Sequence, residues 1–371
     1  ELKSVIFSDP VDGANLTIRV SAFIQCPKLE TCEIPACAVY VTGNVFKGCS
    51  SMEKIQVHPQ NPYYYTDDYG VMFGPWVDEG EPQYDDPNNA LISYPAGRQA
   101  GGYTIPSEVK GHPINRLWAG SFRMAKNLTD IEIPATCTIL GGNAFEETGL
   151  TEVVIPDTVK TIGMGLFESC ADLTDVTLPQ GLTEVPFMCF MNCTSLQRVN
   201  MPDSITSLDT YAFAGCTSLS SMVLPRNLTA LKIGVLEGCT NLQRVVIPPS
   251  VINFPVDDEV GSLDPFKNCA SDLIVYVQEG SKAHKWLVNY GDYLGLSYQV
   301  ANVQNPETID AGEFSLVDMG NKIKVSGAFQ IGSSIKAQKL AGGSAYDAFA
   351  AAADGKKMTA YQIDLLPNGA K

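Results

Sequence analysis

Between residues 117 and 250 the apolar side chains return at a fixed interval instead of tracing one long helical or strand period. Cys170, Cys193, Cys216 and Cys239 lie 23 residues apart, and Pro134, Pro156, Pro179, Pro202, Pro225 and Pro248 keep one step of 22 and then steps of 23. Self-similarity of this length marks a stacked repeat array in which each unit covers its neighbour's apolar face. Within one unit, Leu173, Val176 and Leu178 end in alternation, which predicts a short strand with Val176 and Leu178 on one face and Thr177 on the other. Pro179 ends that strand. A second apolar pair follows in each unit (Leu182 and Val185, Ile205 and Leu208, Leu228 and Leu231), then Phe190 or Phe213 with a cysteine three residues on. That last spacing predicts a single helical or 3₁₀ turn that aims both side chains inward.

The same columns open the chain at Phe23, Cys26, Leu29, Cys32, Ile34 and Pro35, and again at Phe46, Cys49, Met52, Ile55 and Val57. They then vanish until Phe122, which predicts an insertion over 58–112. Asp68-Tyr69-Gly70, Val71 to Phe73 and Leu91 to Tyr94 read as an added β-hairpin. Asp78, Glu79, Glu81, Asp85 and Asp86, set among Gly80, Pro82 and Pro87, read as a surface loop. A shorter acidic insertion spans Val256 to Leu263. Residues 273–300 predict a strand, a Glu-Gly turn and a short helix with Ala283, Trp286, Leu287 and Tyr290 at helical spacing, a cap over the last repeat. Beyond residue 301 the repeat is gone. A linker over 303–314, strands over 322–325, 334–340 and 359–366, and an Ala-rich helix over 345–353 predict a small α+β or β-sandwich fragment at 301–371. Leu2, Val5 and Phe7 read as the end strand of a repeat whose earlier half is absent, so the sequence is expected to start inside an array and to stop inside its last domain.

Val159, Ile162, Gly163, Phe167 and Cys170, with Ala212, Phe213 and Cys216, carry a pattern that resembles the BspA-type leucine-rich repeats of bacterial surface proteins. The resemblance covers about residues 2–300. It implies a right-handed, mostly β solenoid, a secreted or cell-wall-attached setting, and adhesion or binding. It also implies that the Asn-Pro-x-Tyr and Tyr-Pro-x-Gly segments of the insertion are structural, that residues 273–300 form the family's cap, and that residues 301–371 begin a β-sandwich module.

A net charge of −16 excludes a nucleic-acid backbone as the natural partner, because neutralising phosphates needs a clustered basic surface. No run of eighteen apolar residues is present, so no transmembrane segment is expected. Eleven cysteines in an exported chain would ordinarily suggest disulfides. However, Cys26, Cys49, Cys170, Cys193, Cys216, Cys239 and Cys269 share one repeat slot that Ala125 and Thr148 fill elsewhere, which predicts small, buried, reduced core residues. One thiol per unit in single file does not make a tetrahedral metal cluster, and neither a metal nor a cofactor is expected. The acidic loops lack the spacing of a calcium-binding loop. The three histidines stand beside no nucleophile signature, so catalytic residues are not expected. Glu152 and Asp175 lie on neighbouring predicted strands and could flank a sugar bond, but their column continues with Arg and Ser and not with a pocket.

The candidate binding surface is therefore the outward face of the repeated strand. One column reads Glu33, Gln56, Glu132, Val154, Thr177, Asn200, Val223, Val246; its neighbour reads Thr31, Lys54, Asp130, Glu152, Asp175, Arg198, Ser221, Arg244. From these, Glu132, Glu152, Asp175, Thr177, Arg198, Asn200 and Arg244 are the ligand-binding candidates, with Arg198 and Arg244 placed to grip an acidic group. The plain alternative is a solvated sheet face. Tyr64 and Trp76 are added from the aromatic cluster Tyr63, Tyr64, Tyr65, Tyr69, Phe73 and Trp76, whose rings suit either sugar stacking or packing of the hairpin. The expected partner is an extracellular protein or glycan, bound by a monomer. A passive spacer and, further off, a polysaccharide-active β-helix are the competing readings.

Overall fold

The computed structural model describes residues 2–7, 14–19, 22–75, 89–99, 101–255 and 264–300, and the backbone of four strands beyond them. The chain winds as a β-solenoid of about 12 turns. Each full coil contributes three things: a strand to a first parallel ladder, a shorter strand to a second ladder, and a tight turn that carries the Phe and Cys columns.

The first ladder stacks in the register that the 23-residue step demands. Glu152–Val154 pairs with Asp175–Thr177, which pairs with Arg198–Asn200, so that Val153, Val176 and Val199 lie side by side. Ser221–Val223, Arg244–Ile247, Ile274–Val277 and Ser297–Val300 form a further parallel sheet of four. The second ladder holds Ile139–Leu140 beside Thr161–Ile162, and Glu184–Val185 beside Ser207–Leu208. At the turns, the Phe rings stack directly: Phe122, Phe145, Phe167, Phe190 and Phe213 follow one another at centroid distances of 5.1–5.5 Å. Offset stacking at that spacing suits aromatic quadrupoles, and it fixes the distance between coils independently of the strands. The turns bond within themselves as 3₁₀-like steps (Cys170 N to Phe167 O, 3.1 Å) and to the next coil (Phe167 N to Cys189 O, 2.8 Å).

The cysteine slot does more than fill space. All eleven thiols are free. The Cys193 Sγ–H donates to the Phe167 carbonyl at 3.0 Å, Cys216 to Phe190 at 3.2 Å, Cys239 to Phe213 at 3.2 Å and Cys49 to Phe23 at 3.0 Å. Each thiol thus ties its coil to the Phe carbonyl of the coil before, a bond that Ala in the same slot cannot make. Burial pushes the Cys170 and Cys137 thiols up to about 12, and Cys193 and Cys216 well above their ordinary value.

The insertion forms the expected hairpin, with Met72–Pro75 antiparallel to Asn89–Ser93 and Tyr65–Thr66 antiparallel to Met72–Pro75. Its position differs from a surface addition. Asn89–Ser93 pairs in parallel with His112–Leu117, so the hairpin is spliced into the second ladder. Its strands are buried on both faces: Met72, Ala90 and Ile92 belong to an apolar cluster with Ile18 to Ile55, while Phe73 and Leu91 belong to the main core that runs on to Leu287. The hairpin is a partition between two cores. That explains why its sequence reads as continuous apolar runs and not as alternation.

The cap is as expected in kind. Lys282–Leu294 is the one helix among the described residues; its Ser281 N-cap hydroxyl accepts from His284 N, and Gly295 closes it at φ +67°. Trp286 is buried and stacks on Phe254 at 4.8 Å, whereas Tyr290 is 36% exposed and lies outside the core. In the last segment, Glu313–Val317 pairs antiparallel with Lys324–Ala328, and Ser334–Lys339 with Tyr361–Leu366. The strand at 313–317 overlaps the expected linker, and the expected helix over 345–353 lies outside the described residues, as do the acidic loops at 78–86 and 257–259.

Candidate functional site

Parallel register places the candidate side chains where their columns predict, but neighbouring coils engage several of them. On the outward face of the first ladder, Glu152, Asp175 and Arg198 are partners in one row, and Val154, Thr177 and Asn200 in the next. Lateral crowding leaves Asp175 only 5% and Thr177 only 2% exposed, which corrects the expectation that this column faces solvent throughout. The carboxylate of Asp175 accepts from Arg198 Nη2 across the strand pair. Burying Asp175 is tolerable because its charge meets a guanidinium.

That ion pair also corrects the pairing of Arg198 with Arg244 around an acidic ligand. Arg198 is engaged by Asp175. Arg244 sits in the following sheet with its guanidinium over the Tyr276 ring, 5.5 Å from the centroid. Glu132 is exposed on Asp130–Glu132 and accepts from Thr104 Oγ1 at 3.2 Å. Of the other candidates on this face, Glu152 and Arg198 in one row and Asn200 in the next are half-buried beside their cross-strand neighbours.

The aromatic candidates separate sharply. Tyr64 is 2% exposed and its hydroxyl accepts from Val41 N at 2.8 Å; Tyr65 and Phe73 are buried as well. Tyr64 therefore anchors the partition to the preceding coil and is not presented to a ligand, because a ring buried between two apolar layers has no free face. Trp76 lies outside the described residues. Tyr69 is the ring that stays open, 53% exposed. It carries the Arg98 guanidinium over its face at 4.4 Å and meets Tyr103 edge-on at 5.8 Å.

Sequence reasoning missed the four residues that hold Tyr69 in place. Asp67 Oδ1 accepts from the Tyr69 and Val71 amides at 2.9 Å, its Oδ2 accepts from the Tyr103 hydroxyl at 2.7 Å, and Arg98 Nη1 donates to the Tyr94 hydroxyl at 3.2 Å. Burial, then the nearby Asp67 carboxylate, pushes the Tyr103 hydroxyl far above its ordinary range. The signal available was an Asx turn, an Asp two residues before Tyr69 with Gly70 next. Nothing in the sequence alone places Arg98 or Tyr103 beside it, since these contacts span 29 residues or more. Chemically the cluster braces the partition and offers one open ring edge. Among the described residues, no group of three or more His, Cys, Asp or Glu side chains is arranged to hold a metal ion, and no helix is long and apolar enough to cross a membrane.

Comparison with known proteins bears on the same features. The BspA type leucine rich repeat region matches in six copies over residues 2–67, 112–171 and 138–257, more than half of the chain, and it skips the partition hairpin. Among solved structures, a leucine-rich repeat protein from Eubacterium ventriosum is 25% identical with a TM-score of 0.55, over 65% of this chain and 59% of that one. The pneumococcal vaccine antigen PcpA is 18% identical with a TM-score of 0.45, over 74% of this chain and 56% of that one. A leucine rich cell surface protein from Faecalibacterium prausnitzii is 24% identical with a TM-score of 0.37, over 71% and 52%. The chain thus spans little more than half the length of these three. No curated protein matches. With six matched copies and the 23-residue register of its strands, this chain belongs to the BspA-type leucine-rich repeat family.

Proposed function

We propose that this chain is the binding portion of a bacterial surface protein, holding a macromolecular partner, an extracellular protein or glycan, on its solenoid. The observation that carries the reading is the state of the outward row. Glu152, Asp175 and Arg198 are set in adjacent, hydrogen-bonded strands, with Asp175 and Arg198 locked to each other. A polar surface whose side chains are already fixed loses little entropy when a partner settles on it. Membership of the BspA-type leucine-rich repeat family agrees with surface display.

The same ion pair supports a second reading, a passive spacer, because side chains that satisfy one another need no ligand. An array of host and bacterial surface proteins and glycans, probed with the full chain, separates the two. A binder that is lost on Glu152→Ala with Asn200→Ala, at unchanged melting temperature, supports the first reading. A blank array supports the spacer.

A further inference from the structure

The turn side of the solenoid, opposite in character to the polar ladder face, carries an apolar patch on four successive coils. Relative to the stacked Phe column and its continuation at Leu236, the positions three before, two before and one after are occupied by Met164 in one coil, by Phe187, Met188 and Met191 in the next, then by Tyr211, then by Ile233. Backbone bonds show these coils to be adjacent: Gly165 N donates to Phe187 O at 2.9 Å, Ser169 N to Met191 O at 2.7 Å and Tyr211 N to Ile233 O at 3.2 Å. Met164 is 59% exposed, and the other five are part-exposed. The Phe187 and Tyr211 rings meet edge-on at 6.4 Å.

One feature separates this patch from incidental surface. Left-handed backbone is not that feature: Met188 and Tyr211 sit at φ +55° and +57°, but the turns of other coils place Met124, Glu147 and Ser169 there as well, so it belongs to the turn. The feature is the side chains gathered here. Exposed methionines, flexible and polarisable, are the side chains of surfaces that mould to apolar partners.

The rim supplies the partner's charge. Glu168 and Glu237 take, in their own coils, the column that Met191 fills, and Glu184 stands three residues before Phe187; Glu237 lies 3.9 Å from Lys267, and Asp209 is bonded to Lys232 at 2.9 Å. Four carboxylates against two lysines, each already paired with one of them, leave the rim acidic on a chain of net charge −16, which repels a second copy of this chain and attracts a cationic partner.

We infer that Met164, Phe187, Met188, Met191, Tyr211 and Ile233 form a docking surface for an amphipathic, basic segment of a partner protein, its apolar face on the methionines and its Lys or Arg side chains at the rim. The inference rests on the binding reading above but assigns it to a different side of the solenoid. Helix-in-groove recognition has this chemistry.

The test uses the full chain and a fluorescent 18-residue peptide with Leu on one helical face and Lys on the other, read by anisotropy. A scrambled peptide of the same composition and a Leu/Glu version serve as controls. The expected result is binding of the Leu/Lys peptide alone, weakened at least tenfold by Met164→Ser with Met191→Ser at unchanged melting temperature. Met188→Asn should weaken binding while raising the melting temperature, because Asn accepts the left-handed backbone. Equal binding of scrambled peptide, undiminished binding by the Ser variants, or destabilisation by Met188→Asn overturns the patch. A wild-type dimer that the Ser variants convert to monomer, seen by sedimentation, also overturns it in favour of a copy-to-copy interface. If the array yields a partner that the Ser variants still bind, this surface fails while the binding reading stands.

Discussion

The thiols three residues after Phe46, Phe167, Phe190 and Phe213 are donors as well as fillers. The Cys193 Sγ–H bond to Phe167 O joins one coil to the last. Cys193→Ala, which removes the bond and leaves a small void, is expected to lower stability by about 1–2 kcal/mol by denaturant titration. Cys26→Ala, whose part-exposed thiol stands 3.8 Å from Ile24 O, should stay within about 0.5 kcal/mol. The same burial sets a pH limit. Thiols raised from 9.0 to about 12, as at Cys137 and Cys170, contribute stability that is fully present below pH 9 and lost as the pH climbs toward 12, because only the unfolded chain releases those protons freely. Unfolding followed by circular dichroism should therefore need less denaturant at each step from pH 9 to 12, while the buried thiols of the native chain stay unreactive at neutral pH.

At the scale of elements, the partition hairpin is the place where one unit touches two cores. Met72 faces the first cluster and Phe73 the second, so each truncation should loosen a different half. Met72→Ala is expected to cost about 2–5 kcal/mol and Phe73→Ala about 3–5 kcal/mol. Hydrogen exchange resolves the direction, with faster exchange centred on Cys32 to Ile55 in the first variant and on Ile114 to Leu140 in the second. The ladder makes its own prediction. Arg198→Ala strips the cationic partner from an aspartate that is 5% exposed, and should cost about 1–3 kcal/mol in thermal or chemical melts.

For the whole molecule, stability is a sum over coils and their interfaces, so the ends matter most. Trp286 stacked on Phe254 closes the C-terminal end of the main core. Trp286→Ala should produce a gradient in hydrogen exchange, with protection lost from Val275 and Val245 first and retained near Phe145. Uniform loss across the array would mean that the solenoid melts as a single unit and that the cap does not act locally.

How legible this was differs by residue. Val176 beside Val199, the Phe stack and the free thiols follow from the 23-residue step alone, since identical spacing forces identical side chains into contact. The hairpin was readable from its turn residues, but not its place between two cores, because a run such as Val71-Met72-Phe73 looks the same on an outer layer and in a partition. Which outward residues stay open was not readable either: Asp175 and Glu152 occupy one column, yet only Asp175 is buried by its neighbours. The bond across a strand pair and the brace of Asp67, Tyr103 and Arg98 join residues 23 to 36 positions apart. Periodicity in the sequence determined the coil, its register and its core; packing between coils decided exposure, because exposure belongs to the stack and not to any single repeat.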